Sequence, residues 1–150
     1  GVPTIGGHMD PLPEILFVDD NPAESELVEE AFRQYEMAVT VRKVDTGPKA
    51  LAYLRETAAS GGRLPDLVLL DLNLPLISGH EVLKTIRADP LLKDLQVVIL
   101  SSSDRRHDIE KSEALQATAY VIKPTHWDEY LVLVRSFQQR LKQRHHPTSP

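Results

Sequence analysis

Residues 67–79 read LVLLDLNLPLISG, and how this stretch is parsed decides the fold. Leu67, Val68, Leu69 and Leu70 make an apolar run too short for a helix, bounded by Pro65 and Pro75, so it reads as a strand buried on both faces. Asp71 closes that strand. In an open parallel sheet the carboxyl ends of the strands line the ligand crevice, which puts this carboxylate where chemistry is done. A single Asp after a strand is ordinarily a turn former. What the other strands end on decides between the two readings.

Upstream, residues 14–19 (EILFVD) form a second apolar run ending in carboxylates, and Asn21 with Pro22 supplies the N-cap and first-turn proline of a helix reaching about residue 36. Its inward residues are Leu27, Val28, Ala31, Phe32 and Tyr35, with Glu24, Glu26, Glu29 and Glu30 mostly outward. A strand over 39–44 follows. Gly47 and Pro48 then open a helix that buries Ala50, Leu51 and Leu54 and ends at Ser60, Gly61 and Gly62.

Downstream, Val82, Leu83 and Ile86 mark a helix over 79–88 that stops at Asp89 and Pro90. A strand over 97–100 ends on Ser101, Ser102 and Ser103. Asp104 is the expected cap of a weakly apolar helix over about 105–116, and a fifth strand, 119–122, ends on Lys123 and Pro124. The last helix, about 126–144, carries Trp127, Tyr130, Leu131, Val134, Phe137 and Leu141 on one stripe. Five strands alternating with five helices predict a doubly wound α/β fold with a five-stranded parallel sheet. In the flavodoxin-like order 2-1-3-4-5, strands 1 and 3 are neighbours, so Asp19, Asp20 and Asp71 meet.

Composition excludes several classes. The chain has 150 residues, 41% hydrophobic and 26% charged, with no apolar run near the roughly 18 residues of a membrane span. A net charge of −5 argues against nucleic acid as the main partner, since Arg135, Arg140, Lys142 and Arg144 read as the polar side of the last helix. The absence of cysteine removes disulfides, thiolate metal sites and thiol nucleophiles, and suits the cytoplasm. Residues 1–8 read as an expression-tag remnant, 9–144 as one domain and 145–150 as a tail.

Three acids, a hydroxyl (Ser101) and a lysine (Lys123) at the ends of strands 1, 3, 4 and 5 converge on one crevice. Carboxylates this close repel one another unless a cation sits among them, and an oxygen-only donor set favours Mg²⁺. Lys123 adds a second positive charge and Ser101 a neutral donor, the parts expected where phosphoryl charge is stabilised.

The motifs VDDNP (18–22), LLDLNLP (69–75) with Gly79, Ser101 after VVIL, and YVIKP (120–124) resemble those of response regulator receiver domains of two-component systems, CheY-like in fold. The resemblance spans residues 13–142. It implies Asp71 as phosphoacceptor, a Mg²⁺ site made by Asp19, Asp20, Asp71 and the Asn73 carbonyl, phosphoryl contacts from Ser101 and Lys123, Tyr120 as switch aromatic, and a cis Lys123–Pro124 bond. The DNPAE start, the insert at 60–63 and the ADPLLKD stretch resemble stand-alone regulators of phytochrome-type histidine kinases. Gln116 stands where such sequences carry glycine, and Ser101 where threonine is commoner.

The function implied is transfer of a phosphoryl group from a sensor histidine kinase to Asp71, which switches a protein-interaction surface. A phosphorelay intermediate or phosphate sink is the alternative output. The chain then catalyses only its own phosphorylation and dephosphorylation. A Mg²⁺-dependent phosphohydrolase with an Asp nucleophile fits less well, because position 73 holds Asn and offers no second acid. Val132 and Leu133 fall off the expected stripe of the last helix, which predicts a homodimer through that helix and its neighbours.

Overall fold

The computed structural model of the chain describes residues 11–145, with side chains to residue 142. The elements run β1 (Glu14–Val18), α1 (Pro22–Gln34), β2 (Thr40–Val44), α2 (Gly47–Ala59), β3 (Leu67–Leu70), α3 (Gly79–Ala88), β4 (Val97–Ser101), α4 (Arg106–Ala114), β5 (Ala119–Ile122) and α5 (Trp127–His145). The five strands form one sheet in the order β2-β1-β3-β4-β5, and every pair is parallel. This is the expected flavodoxin-like arrangement. Residues 1–8 and most of the expected tail lie outside the described residues, and α5 runs one residue into that tail.

The central strands are apolar between Glu14 at the start of β1 and Ser101 at the end of β4, because both faces of the sheet are covered. Leu16, Val18, Val68, Leu70, Val97 and Ile99 pack with α2 and α3 residues, including Leu54, Val82, Leu83 and Ile86. Their alternating neighbours Ile15, Phe17, Leu67, Leu69, Val98 and Leu100 pack with Val28 and Phe32 of α1 and with Val134, Phe137 and Leu141 of α5. Each fully buried side chain of this size contributes about 2 kcal/mol through its burial. The C-terminal ends of β1 and β3 are thus held between two cores.

Several local expectations change. Leu133 is buried in the α1–α5 core at 6% exposure, whereas Val132 is 70% exposed. Tyr130, Leu133, Val134, Phe137 and Leu141 follow the three-and-four spacing of one helical face, so Leu133 belongs to the stripe. Trp127, expected on that stripe, is 37% exposed and meets Tyr130 ring to ring at 6.4 Å. Leu27, expected inward, is 39% exposed and Glu24, expected outward, is buried, with its carboxylate accepting a 2.6 Å hydrogen bond from Tyr130. Asp104 does not cap α4. Arg105 holds the N-cap position without a side-chain cap bond, and the helix spans only Arg106–Ala114 because the chain turns out of it there, the Gln116 amide donating to the Glu113 carbonyl and the Ala117 amide to the Ser112 carbonyl. Gln116 follows with φ 67°, the left-handed conformation that favours glycine.

Candidate functional site

Backbone pairing places the acids. The Asp19 amide donates to the Val44 carbonyl and the Asp71 amide to the Val18 carbonyl, so each Asp continues its strand by one ladder bond beyond the sheet. Asp19 Oδ1 then accepts from the Asn21 amide at 2.8 Å, and Asp71 Oδ1 from the Asn73 amide at 3.3 Å. These local bonds turn the second oxygen of each carboxylate toward its neighbour. Carboxylate oxygens of Asp19, Asp20 and Asp71 all lie within 4.8 Å of one another, with Asp19 and Asp71 buried and Asp20 exposed.

Lys123 enters from β5. Its amide donates to the Ser101 carbonyl, which aligns the ends of β4 and β5, and its ammonium lies 3.0 Å from Asp19 Oδ2 and 3.1 Å from Asp71 Oδ2. Asp19 Oδ2 is buried, and its charge is met by the Lys123 ammonium. Burial pushes the Asp71 carboxyl above its usual value; Lys123 opposes this and the Asp19 charge adds to it. Burial pulls the Lys123 ammonium down, yet hydrogen bonding and charge from Asp19 and Asp71 outweigh it and hold the group above the ordinary lysine value. Three carboxylates against one ammonium leave the crevice negative. That charge and the hard oxygen donors of three carboxylates fit a divalent cation such as Mg²⁺.

The glycine at the start of α3 is a steric requirement. Its amide donates to the Leu72 carbonyl at 2.9 Å, and a Cβ at residue 79 would collide with the Asp71 carbonyl oxygen and lie 2.8 Å from the Leu72 Cα. Helix α3 therefore rests directly on the backbone of Asp71.

Residues 15–135 match the response regulator receiver domain family. The chain belongs to that family. It is 36% identical over 115 residues to the probable methanogenesis regulatory protein FilR2 of Methanothrix harundinacea, covering 77% of this chain and 74% of that one. It is 32% identical over 125 residues to response regulator Rcp1 of Synechocystis, covering 83% of this chain and 85% of Rcp1. The crystal structure of the Mn²⁺-bound form of Rcp1 superposes with TM-score 0.77 at 31% identity, covering 92% of this chain and 99% of that one. The phosphorylated cyanobacterial phytochrome response regulator RcpA gives TM-score 0.80 at 34% identity, covering 93% of this chain and all of RcpA.

Within this receiver fold, Asp19, Asp20, Asp71 and Lys123 come together as the sequence suggested. Ser101 is fully buried, and its hydroxyl oxygen accepts from the Ser103 amide at 3.1 Å. Tyr120 stands apart from the acids and donates its hydroxyl hydrogen to the Ser103 carbonyl at 2.7 Å. The Lys123–Pro124 bond, expected cis, is trans, as no cis peptide bond occurs among the described residues. The ammonium reaches both carboxylates from the trans arrangement, so nothing overrides the usual trans preference of an X-Pro bond.

Two polar pairs around the site escaped the sequence reading. One is Glu24 with Tyr130, which ties the first turn of α1 to α5. The other is His80 on α3 with Ser112 on α4, 2.9 Å apart and buried.

Proposed function

We propose that the chain accepts a phosphoryl group on Asp71 from a phosphohistidine of a sensor kinase, and that it switches a protein-interaction surface in response. The observation that carries this reading is the Lys123 ammonium bridging Asp19 and Asp71 across three strand ends. An Asp71 oxygen attacks phosphorus, the O–P bond forms as the P–N bond breaks, and the imidazole leaves. Lys123 neutralises charge on the phosphoryl oxygens, and the Ser101 hydroxyl donates to one of them once its loop moves inward. Asp19, Asp20, Asp71 and the Asn73 carbonyl would hold Mg²⁺, which supplies electrostatic stabilisation of the transferring group. Water later cleaves the acyl phosphate, so the chain turns over its own modification and no external substrate.

The likeness to the phytochrome response regulator RcpA supports a phytochrome-type kinase as donor, and the setting proposed for this transfer is the cytoplasm. Among the described residues no helix is long and apolar enough to cross a membrane, which is compatible with that setting. The interaction surface is centred on β5 and α5, where Ile122 and Val132 are exposed beside a groove of about 450 Å³ that includes Val121 and Pro124. A second copy fits there as a homodimer partner, and the output is a downstream phosphotransfer or effector protein rather than nucleic acid.

Acetyl phosphate with Mg²⁺ should add one phosphoryl group to the parent by intact mass and none to Asp71→Asn. Equal phosphorylation of the two would overturn the assignment. Calorimetric Mg²⁺ titration should show weaker binding for Asp20→Ala, and equal affinities would remove Asp20 from the metal site. Sedimentation with beryllium fluoride and Mg²⁺ tests the dimer; one unaffected by Val132→Asp would place the contact elsewhere.

A further inference from the structure

Helix α4 has a distinctive seat. Of its nine residues only Ser112 is buried, and a groove of about 510 Å³, lined by Ile109, Ser112, Ala117 and Tyr120 among others, lies between it and β5. A helix with an apolar stripe is held by many small contacts. One without it depends on a few specific bonds, and α4 has two. Asp108 in its first turn accepts from the Ser103 hydroxyl, and Ser112 Oγ meets His80 Nε2 at 2.9 Å. The Ser112 hydroxyl hydrogen is committed to the Asp108 carbonyl at 2.8 Å, so His80 Nε2 carries a hydrogen and donates it to Ser112.

Both ends of this link lead to the phosphoacceptor crevice. His80 follows Gly79, whose backbone presses on Asp71. On the other side, the Ser103 that grips Asp108 also donates its amide to Ser101 Oγ and accepts from the Tyr120 hydroxyl. We propose that the His80–Ser112 hydrogen bond latches α4 in the unphosphorylated arrangement, making His80 a positioning residue for the phosphorylation of Asp71. This rests on the reading of Asp71 given above. For the Ser101 hydroxyl to reach a phosphoryl group, its loop must move; Ser103 then carries the first turn of α4 with it, and the buried bond to His80 breaks. The latch holds down the population of the competent arrangement, and releasing it raises that population.

The test compares the parent with His80→Phe, Ser112→Ala, the double variant and His80→Gln. Phosphorylation by acetyl phosphate with Mg²⁺ should speed up about fivefold in His80→Phe and in Ser112→Ala, the change in population set by one ordinary hydrogen bond. The double variant should be no faster than either single one, and His80→Gln, whose amide can donate to Ser112, should return the rate to that of the parent. Hydrogen exchange in the unphosphorylated proteins should show lost protection across 106–114 and none lost across 47–59. Unchanged protection of 106–114 in both single variants, or additive rate effects, would overturn the latch. A parent that takes no phosphoryl group at Asp71 would overturn the phosphoacceptor reading instead, and the exchange measurement would still decide the latch.

Discussion

Helices α3 and α4 are similar in length and joined by the His80–Ser112 bond, but they are held in opposite ways. Helix α3 begins at Ser78, whose hydroxyl caps the Glu81 amide, and buries Gly79, His80, Val82, Leu83 and Ile86. Helix α4 begins at Arg105 with no side-chain cap and buries Ser112 alone. The acids are thus backed by the firmly packed helix, and the surface beside Tyr120 is built on the loosely packed one. Chemistry needs fixed distances, whereas signalling needs an element with two arrangements of similar free energy. One sheet provides both by changing the number of apolar residues from one helix to the next.

The sharpest way to break this contrast is to cut the same kind of contact in both helices. Leu83→Ala should cost about 3–4 kcal/mol in urea denaturation, because it leaves a cavity in the α2–α3 core. Ile109→Ala in α4 should cost under about 1 kcal/mol, since Ile109 is only half-buried. Comparable losses would show that α4 is packed as firmly as α3.

Gly79→Ala attacks the firm side at its contact with the site. The new methyl group meets backbone rather than a yielding side chain, namely the Asp71 carbonyl and the Leu72 Cα. A cost of about 2–3 kcal/mol is expected, with phosphorylation slowed on the order of a hundredfold by displacement of Asp71. A rate equal to the parent's would mean that α3 does not position Asp71.

The same contrast explains what the sequence disclosed. The strands and their order were legible because runs such as Leu67 to Leu70 admit one reading, and the acids and Lys123 were legible because they end those runs. Helix α4 has no apolar stripe, so nothing set its phase, and both its cap and its ends shifted from expectation. Glu24 with Tyr130 and His80 with Ser112 join residues far apart in the chain, and such pairings leave no periodicity to read. Leu133 is buried because the α5 stripe is wider than a seam centred on Tyr130, Val134 and Leu141. Gln116 was legible in part: the position where related sequences carry glycine does adopt the left-handed conformation.

Gln116→Gly would firm the loose side without touching the site. A non-glycine residue at φ 67° is strained, and the Arg87 guanidinium still reaches the residue 116 carbonyl after the change. Stability should rise by about 1 kcal/mol, read as a higher urea midpoint at constant slope. No gain would mean that the strain is relieved elsewhere in the α4–β5 turn.

The smallest effect is a pH dependence confined to the loose side. Burial pushes the His80 imidazole below the ordinary histidine value; the charges of Lys111 and His107 push the same way, while the Asp108 carbonyl and carboxylate oppose them. The folded state therefore binds this proton less readily than the unfolded chain. Linkage then fixes the sign: the contribution is intact above the ordinary histidine value of about 6.5 and is lost as pH falls through the lower folded value. A protonated His80 still donates to Ser112, but it carries a buried charge facing Lys111. Lowering the pH from about 7.5 to about 5 should reduce exchange protection across 106–114, after correction for intrinsic rates, more in the parent than in His80→Gln. Protection across 79–88 should change less, since Val82, Leu83 and Ile86 hold α3 whatever the charge on His80. An equal pH dependence of α4 in parent and variant would assign the effect to other titrating groups and leave the two helices unlike in packing alone.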